Sequence, residues 1–258
     1  KKERRGDYLG KNVQIIPHVT KELRDNYKKI ASDSNADFVL IEIGGTVGDI
    51  ENQVFLESVR ELSNEKKVFF IHCALVPVMA GANEQKTKPV QQSVRMLREI
   101  GIFPDMIFCR SKNHLNPKTK EKISSFCGVK QDYIISGPDV ENIYRIPLEL
   151  EEQKTADKVL KKLNLENKQT NLDSWKEFVR NIDNPEKTIK IAITGKYTEL
   201  KDSYTSIKEA FDHCAGLLKI KTEIKWIETT DIEDKDFSKE KIKNLLNDVH
   251  GILVPGGF

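Results

Sequence analysis

The chain has 258 residues, enough for one large α/β unit or for two domains with sizeable cores. Its 42 Lys and Arg nearly balance 40 Asp and Glu, leaving a formal +2 although 32% of residues are charged, which excludes a polybasic face built for nucleic acid or an anionic membrane. No apolar run approaches the roughly 18 residues of a membrane span, and Cys73, Cys109, Cys127 and Cys214 lie far apart without a CxxC pair, which argues against a zinc site or a secreted disulfide framework and for a reducing cytoplasm.

The opening run Lys1-Lys2-Glu3-Arg4-Arg5-Gly6 has no initiator Met and no apolar core of a signal peptide. Strand-like runs follow at 13–16, 38–43, 68–76, 106–109 and 133–135. Helical patterns lie between them, at 21–31 after Thr20, 54–62 after Asn52, and 90–100, opened by Pro89 and stopped by Gly101. The alternation predicts an α/β fold with a parallel sheet across a first domain of residues 1–150. From 149 to 184 the composition turns charged and amide-rich, so a polar helical connector is expected over 151–185, with Trp175 and Phe178 at helical spacing as its packing face. A second α/β series occupies 186–258, with strands at 189–197, 222–228 and 251–254, a helix at 203–218, and a charged loop and solvated helix at 231–243. The chain ends at Val254-Pro255-Gly256-Gly257-Phe258, within what reads as a strand-to-turn junction, so a piece of a longer protein is expected.

Residues 37–51 are the most informative stretch. The apolar run Phe38, Val39, Leu40, Ile41 suits a strand covered on both faces. It leads into Glu42, then Gly44, Gly45, Thr46 and Gly48, then Asp49, Ile50 and Glu51. A carboxylate at the carboxyl end of such a strand is well placed to hold Mg²⁺ against nucleotide phosphates, because that ion favours hard oxygen ligands. The bland alternative is a glycine turn with solvated acids. Lys86, Thr87 and Lys88 precede Pro89, Val90 and Gln91 at a helix start, where unpaired N–H groups and two ammonium groups together suit a polyphosphate; a solvated lysine loop is the competing reading.

These segments carry a resemblance. Glu3-Arg4-Arg5-Gly6-Asp7-Tyr8-Leu9-Gly10, Val13-Gln14-Ile15-Ile16-Pro17-His18, the run from Glu42 to Glu51, Lys86-Thr87-Lys88-Pro89 and Pro255-Gly256-Gly257-Phe258 occur in the same order as in the CTP synthase family, and the resemblance spans essentially the full chain. It implies a P-loop-type synthetase domain, a helical linker and the start of a class I glutamine amidotransferase domain. The implied parent is a homotetrameric, cytoplasmic ligase that phosphorylates O4 of UTP with ATP and displaces the phosphate with ammonia from glutamine, giving CTP, with GTP as a possible effector.

By the resemblance, Glu42 is a Mg²⁺ ligand, and Asp49, Ile50 and Glu51 recognise CTP as a feedback inhibitor. Lys86, Thr87, Lys88, Pro89, Val90, Gln91 and Lys122 hold the UTP or CTP phosphates. Val140 contacts the ATP base through its backbone, Gln14 and His18 lie near the reacting nucleotide, and the Gly257 N–H belongs to an oxyanion hole. For His18 alone, a hydrogen-bonded structural role is the stronger reading. The glycine-rich phosphate loop, the second acidic Mg²⁺ ligand and the glutaminase nucleophile are not found in these residues, and Val90 and Asn12 stand where the family often has other residues. This piece alone is therefore expected to be inactive. Two rivals remain from sequence: a related amidoligase of the dethiobiotin synthetase or cobyrinic acid amidase type, and a non-catalytic nucleotide sensor or filament subunit.

Overall fold

The computed structural model describes residues 1–79, 81, 84–166, 170–195, 201–230 and 238–256. Contacts divide the chain into two compact units, Lys1–Asp139 with Glu149–Asn167, and Val140–Leu148 with Lys168–Phe258.

The first unit is built on a parallel sheet ordered β1 (Ile71–Leu75), β4 (Met106–Ser111), β5 (Ile134–Pro138), with Ile71 opposite Met106 and Cys109 opposite Ser136. A short antiparallel hairpin, β2 (Val78–Met79) with β3 (Glu84–Gln85), follows β1. The helices are α1 (Thr20–Ser34), α2 (Ile50–Leu62), α3 (Lys88–Glu99) and α4 (Pro117–Cys127). Each α3 residue that faces the sheet recurs at helical spacing: Val90, Val94 and Leu97 are buried, while Lys88, Arg95 and Glu99 stay in water. The core beneath them joins Val76, Ile107, Cys109, Ile123 and Ile134. Burial of a side chain of that size stabilises by roughly 1.5–3 kcal/mol, so this cluster dominates the unit.

The carboxyl ends of the strands are laced together. Val76 N–H donates to Arg110 O (2.7 Å), Ser111 Oγ donates to Val76 O (2.9 Å), and Asp139 N–H donates to Ser111 O (3.0 Å). Arg110 pairs with Asp139 at 3.0 Å. The side-chain amide of Gln153, just past α5 (Ile146–Glu152), accepts from Ser136 N–H and donates to Ser136 O, both at 2.8 Å.

Two expected strands are absent. Residues 13–16 lead into a single irregular turn, Ile15–Val19, because their polar groups close locally: Gln14 N–H donates to His18 Nδ1 (3.0 Å) and Thr20 Oγ1 to Pro17 O (3.3 Å). Residues 38–43 form no ladder, and only Ile41 and Ile43 among them are partly buried on a hydrophobic cluster. Ile41 and Ile43 pack towards Leu56, Val59, Leu97 and Ile102, whereas Leu40 is 94% exposed.

The second unit carries a parallel sheet ordered β7 (Ile220–Glu228), β6 (Lys187–Gly195), β8 (Gly251–Leu253). Helices α7 (Asp173–Asp183), α8 (Thr205–Leu218) and α9 (Lys239–Leu246) accompany it, while α6 (Thr155–Leu163) packs in the first unit. The polar stretch read from sequence as one connector thus contributes helices to both units. Among the described residues, no helix is long and apolar enough to cross a membrane.

Candidate functional site

Alternation along 38–43 turns Ile41 and Ile43 onto α2 and leaves Glu42 facing out at the end of the run. The chain then folds back through a glycine loop into α2. Gly45 and Gly48 take φ of 85° and 104°, and a β-carbon at Gly48 would lie 2.1 Å from Met96 Cε, so neither position accepts another residue without strain. Asp49 precedes the first turn of α2, but its side chain turns back to accept from Thr46 N–H at 3.1 Å rather than capping the helix.

Asn52 clamps this loop from inside α2. It is 4% exposed, and its Nδ2 donates to Thr46 O (2.7 Å) and Gly44 O (3.3 Å). Its Oδ1 is buried without a partner. The amide orientation follows from its surroundings, since both neighbours are acceptors.

The loop opens a cleft of about 500 Å³ lined by Glu42, Ile43, Gly44, Gly45, Asp49, Glu51, Asn52 and Phe55. Three carboxylates therefore share one concavity. Ile50, between two of them, is 83% exposed and is not in the lining. Burial, and the Glu42 carboxylate beside it, push the Cys73 thiol up. Among the described residues, Glu42 makes no hydrogen bond or ion pair, and no group of three His, Cys, Asp or Glu side chains forms a metal cage. A single free carboxylate nevertheless fits Mg²⁺, which keeps several waters and takes one or two protein oxygens together with substrate phosphates.

The second cluster is basic. Gln85 ties the β2–β3 hairpin to the start of α4 by donating to His114 O (2.9 Å) and accepting from Asn116 N–H (3.1 Å). Lys86 pairs with Glu84 at 2.7 Å; together with Lys122 and Lys118 it holds the Glu84 carboxyl below its usual range. Lys88 lies 5.6 Å over the ring of Phe126. Thr87 is buried, with Oγ1 accepting from Gln91 Nε2 at 3.0 Å, so these two polar groups are engaged with each other. Pro89 occupies the first turn and is exposed. Val90 is 0% exposed, so only its backbone could face a ligand.

The structure thus gathers Glu42, Asp49 and Glu51 in one cleft, and Lys86 and Lys122 around Glu84. None of the lysine-loop residues lines the acidic cleft. His18 takes its bond from Gln14 and stacks edge-on with Tyr8 at 5.2 Å, a local arrangement. Val140 belongs to the second unit, and Gly257 lies outside the described residues. Sequence reasoning missed the clamp by Asn52 and the partner Glu84. The only signal for Asn52 was a short amide directly after a glycine loop, at a helix start.

The family model described as CTP synthase N-terminus matches residues 1–165. Over the full length of the chain, identity is 52% to the CTP synthase of Sulfolobus acidocaldarius, 46% to that of Caldanaerobacter subterraneus subsp. tengcongensis and 47% to that of Aquifex aeolicus. The matched regions cover 48%, 48% and 47% of those proteins, so the chain spans about half the length of the curated relatives it matches.

Proposed function

The chain belongs to the CTP synthase family, and from that premise we propose that the full-length protein is a ligase converting UTP to CTP with ATP and with ammonia drawn from glutamine. The observation that carries this reading at the level of residues is the clamped glycine loop, which offers Glu42, Asp49 and Glu51 to one open cleft. In this reading Glu42 supplies the protein oxygen for Mg²⁺. The ion's chemistry when bound is to neutralise charge on the transferring γ-phosphoryl group. Asp49 and Glu51 accept hydrogen bonds from the pyrimidine nucleotide product, and Ile50 supports them by contact.

Lys86, Lys88 and Lys122 act as point charges on the triphosphate. The free N–H groups at the start of α3, including that of Val90, add donors. Thr87 and Gln91 hold the turn in shape through their mutual bond, and Pro89 fixes φ at its start. The ammonia-supplying step, with Gly257 as an oxyanion donor, belongs to the glutaminase part of the whole protein. Alone, this piece makes no CTP.

The test is calorimetric titration of UTP and of CTP, with Mg²⁺, into the full-length protein and its Lys86→Ala variant. Removal of one phosphate-facing charge is expected to weaken both nucleotides about tenfold. A folded protein that binds neither nucleotide would refute the proposal.

A further inference from the structure

The hairpin that leads into Lys86 is pinned through its backbone and loosely held at one side chain. Lys86 N–H donates to Pro77 O at 2.8 Å, Gln85 lies opposite Val78, and the Gln85 amide fastens this end of the hairpin to the start of α4. Glu84 lies opposite Met79 and turns its carboxylate to Lys86 Nζ at 2.7 Å. Among the described residues, neither charged end has another hydrogen-bond partner, and the Glu84 side chain stays 60% exposed. Lys118 and Lys122 of α4 act on the same carboxylate, and neither forms an ion pair of its own among the described residues. Three ammonium groups therefore share one acid. Like charges gathered in this way repel, and an anion among them relieves the repulsion. Glu84 is that anion, supplied by the chain itself.

We propose that Glu84 is a built-in counter-anion of the lysine cluster, an autoinhibitory contact that a polyphosphate displaces from Lys86 in order to bind. The inference rests on the reading of this cluster as a phosphate site and adds to it a competitor within the chain. A phosphate oxygen takes the place of the Glu84 carboxylate on Lys86, and the carboxylate swings into water, where most of its side chain already lies. A carboxylate tethered two residues from its lysine is always at hand, whereas the phosphate arrives from solution. The polyphosphate brings several charges against one and engages Lys118 and Lys122 in the same step, so it wins the exchange. An exposed pair of this kind is weak, so Glu84 lowers the affinity without closing the site.

The test is calorimetric titration of inorganic tripolyphosphate, and of UTP with Mg²⁺, into the full-length wild type, Glu84→Gln, Lys86→Ala and the double variant. Glu84→Gln keeps the size of the side chain, removes its charge, and leaves stability nearly unchanged, as an exposed position allows. It should bind both probes about threefold tighter, the gain that loss of an exposed competing pair permits. Lys86→Ala should weaken both about tenfold. Adding Glu84→Gln to it should recover less than about twofold, because the competition runs through Lys86. Unchanged binding in Lys86→Ala would remove the phosphate reading and the inference together. Where Lys86→Ala does weaken binding, a Glu84→Gln variant that binds no tighter than wild type would overturn the inference alone, since Glu84 would then not compete. A threefold gain that persists without Lys86 would overturn it too, by showing diffuse repulsion in place of an exchange at one ammonium group.

Discussion

Replacing Asn52 tests the architecture of the acidic cleft, because alanine and aspartate should act in an order opposite to their similarity in shape. Asn52→Ala deletes two hydrogen bonds to Thr46 O and Gly44 O, worth about 1 kcal/mol each. It also removes the buried, unpartnered Oδ1, which returns about 1 kcal/mol. The net loss is about 1 kcal/mol. Asn52→Asp keeps the shape but turns a carboxylate oxygen towards two carbonyl oxygens, so nothing is returned and repulsion is added; a loss of about 3 kcal/mol follows.

The assay is amide hydrogen exchange of the peptide covering 43–55 in the full-length protein, read by mass spectrometry. Opening of the loop should speed exchange about fivefold in the alanine variant and about 150-fold in the aspartate variant. The penalty from the introduced carboxyl also depends on pH. Its pKa in the folded state is raised, because the neutral form can donate to a carbonyl; the penalty is full above that raised value and fades as pH falls through it. Exchange in the aspartate variant equal to wild type, or slower than in the alanine variant, would refute the clamp.

Glu42→Gln should leave the melting temperature unchanged, since no bond depends on the carboxylate, yet lower ammonia-dependent CTP formation by the full-length enzyme on the order of 10²-fold; full activity would remove Glu42 from the metal site. Gly137→Ala would place a β-carbon 2.5 Å and 2.7 Å from two ring atoms of Phe108 inside a buried strand, and should cost about 1–3 kcal/mol, seen as a melting temperature lower by several degrees. His72 is buried on β1 with Nε2 unpartnered, and burial lowers its pKa below the ordinary 6.5. The unfolded chain therefore binds the proton first, and stability is complete above about pH 6.5 and lost as pH falls below it. Melting curves at about pH 7.5 and about pH 5.5 should show a smaller acid-induced drop for His72→Leu than for wild type; equal drops would count against this.

The parallel sheet of the first unit was legible because β1, β4 and β5 are apolar runs separated by helices with clear starts and stops, such as Pro89 and Gly101. The run at 38–43 misled for a physical reason. Four consecutive apolar residues signal burial on both faces, but a ladder requires a neighbouring strand, and pairing is a non-local property that no window of sequence contains. Residues 13–16 failed differently, since a histidine four residues on took the backbone bond that a strand would have used. The hairpin of two-residue strands is too short to leave any period.

At the site, the three acids fall close together in the sequence because a glycine loop joins the apolar run of 38–43 to a helix start, whether or not that run pairs as a strand. Burial of Val90 could have been read from its spacing to Val94 and Leu97. The clamp by Asn52 could not, because a short amide near a helix start is most often a cap, and only the fold reveals the two carbonyls it meets.

The amide of Gln153 has a consequence for how the molecule keeps to itself. Among the described residues, strand β5 is one of the two outer members of its sheet, and Ser136 turns its N–H and carbonyl away from β4. An open pair of this kind in a buried, apolar strand is what an extended segment of another chain would recruit to lengthen the sheet. Gln153 answers both groups with a side chain that carries one acceptor and one donor and then stops. It imitates the next strand for a single residue and leaves neither backbone group of Ser136 unpaired for a further strand to take.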